Sequence, residues 1–383
     1  MLDLYSSGRE AQPRLIFHGG IVDARYNSIR LPIPVLALGF RPFYLLAGLY
    51  AALAVPVWAA QYAGWLPGAN PLWHAHEMLF GYAFAVMAGF LLTAVRNWTG
   101  LPTPSGAGLA ALAGVWLLAR MLGFLSVPAA VGSDLLFAAA LAGAIGVPLV
   151  KSGSRRNYFF IVLVLALGVA SAAFHAWPAE ALRLGLDIVL LVMAVVAGRV
   201  IPMFTNNAVP GAGARSVNWV EVSALGAILG LIFMDFAGIF PGHVLLAAAF
   251  LHATRLALWA PWKTLGKPIL WILHVSYGWI VLHLLLRGLA AFDLVAPQLA
   301  THALTIGAIG GLTLGMMTRT ARGHTGRLLA VGRAETAAYL LIQAAAAVRV
   351  LLPLALPAAC VATVLASAAL WLAAFALNRK SVV

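Results

Sequence analysis

Apolar stretches about twenty residues long alternate with short polar interruptions along almost the whole chain. Crossing a hydrocarbon layer about 30 Å thick takes about 20 apolar helical residues, and by that measure the pattern predicts about twelve spans. The first six run from Phe43 to Tyr62, His74 to Val95, Ala107 to Leu125, Leu135 to Val150, Phe159 to Trp177 and Ala181 to Ile201. The second six run from Val220 to Ile239, His243 to Trp262, Ile269 to Leu289, Leu299 to Thr318, Ala334 to Leu352 and Pro357 to Leu377. The predicted fold is all-α, a polytopic transmembrane helix bundle. Residues 1–42 form an N-terminal segment, 43–377 the membrane domain and 378–383 a tail. The connections are too short for a large domain outside the membrane.

Composition excludes the other classes. Of 383 residues, 63% are hydrophobic and 9% charged, against about 45–50% and about 25% in soluble domains. Disorder needs the opposite balance. A single cysteine, Cys360, leaves no disulfide framework and no Cys-based metal cage.

The net charge of +13 raises the question of nucleic acid, and the placement of the charges answers it. Lys and Arg gather in short runs between apolar stretches, as in cytoplasmic loops, so a lipid bilayer is the expected partner and nucleic acid is not. With both termini cytoplasmic, the outer side keeps only Arg183, Arg287 and Arg349, while Arg120 and Arg255 fall inside spans. The first forty residues carry Arg9, Arg14, Arg25 and Arg30 and no apolar core, so no cleavable signal peptide is expected.

Ten histidines stand out in a chain whose spans hold few other ionisable groups. Intramembrane ionisable residues are costly and usually face a bundle interior. At 1.5 Å per residue, His74, His76, His175, His283 and His302 fall in the outer third. His74 and His76 open the second span in Trp73-His74-Ala75-His76-Glu77-Met78. Neutral imidazoles bind copper, iron or zinc, and a Met thioether adds a preference for Cu(I). The sequence therefore predicts an outer metal site, with His74 and His76 converging with a histidine of another span and Glu77 and Met78 on the next turn.

His252 and His274 differ by about 6 Å in depth on neighbouring spans, an arrangement suited to bis-imidazole haem. Arg255, one turn after His252, then pairs either a haem propionate or Asp187. A structural hydrogen bond to another helix is the competing reading for each of these histidines.

Two further segments carry a pattern. Gly307, Gly311 and Gly315 recur every four residues, which predicts close helix packing. The basic segment from Met316 to Arg327, with Arg319 and His324, reads as headgroup contact or as an anion or propionate site.

Long runs of the chain resemble the NnrS family of bacterial membrane proteins. They include Gly39-Phe40-Arg41-Pro42-Phe43, Trp73 to Gly81, Leu91 to Val95 leading to Asn97-Trp98-Thr99-Gly100, and Gly198 to Thr205. The His252 and His274 segments, His302 to Gly310 and Gly323-His324-Thr325-Gly326-Arg327 complete the match, which covers nearly the whole chain. The resemblance implies an inner-membrane protein with haem b and copper that acts in nitric oxide metabolism and nitrosative-stress resistance. The family's histidines fall on His74, His76, His252, His274, His302 and His324.

Taken together, copper is expected at His74, His76 and His302 with Glu77 and Met78 as auxiliary groups, and haem at His252 and His274 with Arg255 near a propionate. Nitric oxide or a related small molecule is the expected ligand, and an electron donor a possible partner. Two rivals remain open: a His-lined transporter for a metal ion or small molecule, and a haem–copper oxidase-like nitric oxide reductase. The adjacent His-His pair of the latter is missing here.

Overall fold

A computed structural model describes residues 33–382 except 69, 240 and 241. Every regular element among them is helical. In chain order the apolar helices are α1 (Phe40–Tyr62), α2 (Pro71–Thr99), α3 (Gly106–Leu122), α4 (Val127–Lys151), α5 (Phe159–Ala173) and α6 (Pro178–Ala208). They continue as α7 (Asn218–Phe236), α8 (Gly242–Leu258), α9 (Pro268–Ala290), α10 (Pro297–His324), α11 (Arg333–Val350) and α12 (Cys360–Val382).

Ten of the helices are long and apolar enough to cross a membrane; α3 and α8 are shorter apolar helices. The chain is thus an all-helical membrane bundle. Of the N-terminal segment 1–42, residues 1–32 lie outside the described residues, including His18 and Arg9, Arg14, Arg25 and Arg30. Helix α12 continues into the expected tail, 378–383, as far as Val382, while its stretch apolar enough to cross a membrane ends at Asn378.

Local chemistry fixes several ends. Pro71, Pro178, Pro268 and Pro297 each stand at the first helical position, where a missing N–H costs no hydrogen bond. Asn70 caps α2, its Oδ1 accepting from the backbone N–H of Leu72 at 2.9 Å and of Trp73 at 3.3 Å. Gly100, at φ 68°, closes the same helix in the left-handed conformation.

The Gly307, Gly311 and Gly315 stripe packs against α9. A Cβ at Gly307 would lie 2.3 Å from the Trp279 ring, one at Gly311 2.1 Å from Ser276 Oγ, and one at Gly315 3.0 Å from Ile272. These contacts bring α10 close to α9.

Both α2 and α10 contain a π-helical stretch, Glu77–Ala83 in the first and Ala303–Gly310 in the second. Such wide turns rotate the residues on either side relative to a regular helix, and they concentrate at functional sites. One begins three residues after His74, the other directly after His302.

Buried arginines clamp the helices. Arg120 bridges Glu77 at 2.8 Å and Asp134, tying α3 to α2 and α4. Arg287 bridges Asp187 at 2.8 Å and Asp235, tying α9 to α6 and α7. Arg255 joins α8 to Glu221 of α7.

Candidate functional site

The starts of α2 and α10 flank a cavity of about 460 Å³, walled also by α1, α11 and α12. His74, Met78 and His302 all line it. His74 stacks on Trp58 with ring centroids 4.1 Å apart, and its Nδ1 is buried without a hydrogen-bond partner. His302 Nδ1 donates to the Gln298 carbonyl at 2.7 Å. That bond fixes the tautomer and leaves Nε2 as the lone pair for a ligand. Two imidazoles and a thioether are a donor set suited to Cu(I), and a buried imidazole nitrogen left unpartnered is the kind of atom a metal satisfies. Arg349 lines the same cavity and brings a positive charge to its wall.

His76 and Glu77 do not join this set. On a helix, residues two apart point to nearly opposite faces, and His76 faces α4 and α5 instead. Its Nδ1 lies 2.9 Å from Glu77 Oε1, and its Nε2 3.1 Å from Ser171 Oγ and 3.5 Å from Asp134 Oδ2. Ser171 donates to Asp134 at 2.7 Å, and Tyr50 donates to Glu77 at 2.5 Å. Gly81 leaves the space, since a Cβ there would meet Glu77 Oε2 at 2.9 Å.

One guanidinium faces two carboxylates here, so the cluster keeps a surplus negative charge for a proton on His76 or a bound cation to balance. His76, Asp134 and His175 each offer a ligand atom, all within 4.8 Å of one another. His175 lies in the turn after α5, where burial and then the nearby His76 hold its imidazole below the usual range, in the neutral form that binds metals. Sequence reasoning names His76 and Glu77 but misses Asp134 and Ser171 as their partners. The available signal was a charge inside a span, Arg120, with Asp134 following it across a tight hairpin.

The histidines expected to pair on a haem, His252 and His274, are each engaged by protein groups instead. His252 Nε2 donates to the Ala224 carbonyl at 3.2 Å, and its Nδ1 accepts from the Tyr277 hydroxyl at 2.6 Å. His274 Nδ1 donates to the Leu270 carbonyl at 3.1 Å, and its Nε2 lies 3.3 Å from Thr205 Oγ1. Arg255 is fully engaged by Glu221, Tyr277 and the Ala194 carbonyl, so it holds neither a propionate nor Asp187, which pairs with Arg287 instead. A bis-imidazole haem does not fit these residues as they stand. The physical reason is that rise per residue fixes depth in the bilayer but not the direction a ring faces.

Arg319 and His324 line a different cavity, of about 320 Å³, at the opposite end of α10. Between the two ends lies a third cavity of about 90 Å³ with an almost wholly apolar wall. Ile309 borders both the His302 cavity and the apolar one, while Phe90, Val196, Val200 and Met316 border both the apolar one and the Arg319 cavity. One face each of α2, α6 and α10 therefore lines a seam from end to end.

Fold and site together define a helical membrane protein with a histidine-lined cavity at one end of an internal seam. The model of the NnrS protein family matches residues 34–380, nearly the whole chain. The chain belongs to the NnrS family, membrane proteins related to nitric oxide. No curated protein matches it.

Proposed function

We propose that this chain is a copper-binding protein of the bacterial inner membrane that binds or processes nitric oxide or NO-derived species, in nitric oxide metabolism and nitrosative-stress resistance. The observation that carries the reading is the convergence of His74, Met78 and His302 on one cavity, with the Nδ1 of His74 buried and unpartnered. Copper held there supplies a one-electron centre able to bind NO. His74 and His302 would hold it as neutral imidazoles, and the Met78 thioether would favour its reduced state. Trp58 fixes the His74 ring by stacking, and Arg349 offers a cation to any anionic NO derivative entering the cavity. The resemblance also implies a haem, and no step here is assigned to one, because His252 and His274 do not fit it. Twelve spans with both ends cytoplasmic remain part of the proposal, with α3 and α8 as the short crossings.

The test exposes copper-loaded protein in detergent to NO and follows it by electron paramagnetic resonance and an NO electrode. NO-dependent changes that vanish in His74→Ala support the reading; changes that survive in His74→Ala contradict it.

The seam favours a second reading, a conduit for a small molecule or metal ion. That reading requires vectorial flux into vesicles and no dependence on bound copper.

A further inference from the structure

Several arginines sit inside the helices, where an acid partner decides their role. Arg120, Arg255 and Arg287 are each paired with one or two carboxylates. Arg319 is not. It is 8% exposed, lies in α10, and makes neither an ion pair nor a hydrogen bond with any described residue. Its guanidinium stands 3.6 Å over the Phe204 ring and borders the cavity of about 320 Å³. Arg199, from α6, borders the same cavity. Its Nη1 donates to Asn157 at 2.7 Å, and its plane stands over Trp98, Phe159 and Phe160 at 5.6 to 6.0 Å. No Asp or Glu lines the cavity among the described residues.

Burying an uncompensated charge is expensive. An aromatic face helps but supplies no countercharge, and a guanidinium held flat against a ring still presents its N–H edge to a planar or tetrahedral oxyanion. Asn97 and Thr320 add an amide and a hydroxyl to the cavity wall. The site is thus a basic, polar-edged cavity with its own donors and no carboxylate on its wall for either arginine.

We propose that the cavity between Arg319 and Arg199 is a binding site for a small polyatomic oxyanion, such as nitrite, nitrate or a phosphate group. It stands at the far end of the seam from His74 and His302, and it does not depend on a metal being bound there. The phosphate could be free or belong to a lipid headgroup; the chemistry of recognition is the same.

The experiment is calorimetric titration of the full chain, in neutral detergent, with sodium nitrite, nitrate and inorganic phosphate, each against sodium chloride at matched ionic strength. Saturable binding of one of them, weakened at least ten-fold in Arg319→Gln and unchanged in Lys151→Gln, at the exposed end of α4, supports the site. Should Arg319→Gln fail to fold, Arg319→Lys, which keeps the charge but loses the fork, is expected to weaken binding several-fold. Extracted protein is also analysed for bound phospholipid. If an anionic lipid copurifies with the wild type and not with Arg319→Gln, and blocks the titration, the occupant is the headgroup phosphate. Absence of both saturable binding and Arg319-dependent lipid, or binding undiminished in Arg319→Gln and Arg319→Lys, overturns the proposal.

Discussion

His74 and His76, two residues apart on α2, belong to different sites. The first stacks on Trp58 at 4.1 Å and shares a cavity with His302. The second sits 2.9 Å from Glu77 and 3.5 Å from Asp134 in a charged cluster on the other side of the helix. The same short motif thus contributes to a candidate metal centre and to a charged clamp, and mutation should separate the two.

The clamp predicts a large cost for losing its cation. Arg120→Met leaves Glu77 and Asp134 buried without a countercharge, and breaking a buried pair in this way typically costs about 3–5 kcal/mol. Folded yield and the midpoint of thermal unfolding in detergent should fall sharply. Adding Glu77→Gln and Asp134→Asn to the same chain should recover much of the loss, since the uncompensated charges are then gone. No recovery in the triple variant contradicts the charge argument.

Gly198 makes room for the second clamp. A Cβ there would lie 1.9 Å from Arg255 Nη2 and 2.8 Å from Glu221 Oε2. Gly198→Ala should destabilise by about 1–3 kcal/mol, the usual cost of overpacking, whereas Gly143→Ala, with nothing within 4 Å of its Cβ, should be neutral or better. Equal melting temperatures for the two variants would count against the close contact.

The outline of the fold was legible in the sequence because crossing a bilayer leaves a one-dimensional signature, the length of an apolar run. The four-residue glycine spacing at Gly307, Gly311 and Gly315 was legible for a similar reason, since only a close neighbour demands it. The sites were harder. Span positions gave heights, and His252 and His274 do lie on neighbouring helices, but nothing in the spacing tells that His252 turns to Ala224 and Tyr277 while His274 turns to Thr205. His74 was found through its place at a span start beside the soft Met78, while His302 was singled out from the other outer histidines only by the family resemblance. The π-helical stretches that follow each of them are a property of the packed helices with no pattern in the sequence to announce it.

The haem assignment carries its own test. If purified protein shows a Soret band, His252→Gln and His274→Gln should lower thermal stability and leave the band in place. Loss of the band at unchanged fold in either variant would restore that residue as an axial ligand.

The seam predicts that its narrow apolar part controls passage of small uncharged molecules. Val196 borders both the 90 Å³ apolar cavity and the Arg319 cavity. Val196→Trp places a large ring where these two cavities meet, so it should slow the response of the copper site to NO supplied from the basic end without changing copper content. Stopped-flow NO addition to protein oriented in vesicles measures this, and an unchanged rate would remove the seam as a route.

The central claim is that His74 and His302 hold copper and His76 does not. Copper per folded chain, measured by mass spectrometry on purified wild type, the His74→Ala/His302→Ala double variant and His76→Gln, tests it directly. Copper present in the wild type, lost in the double variant and kept in His76→Gln is the predicted result. Copper kept in the double variant, or lost only with His76, would contradict the account.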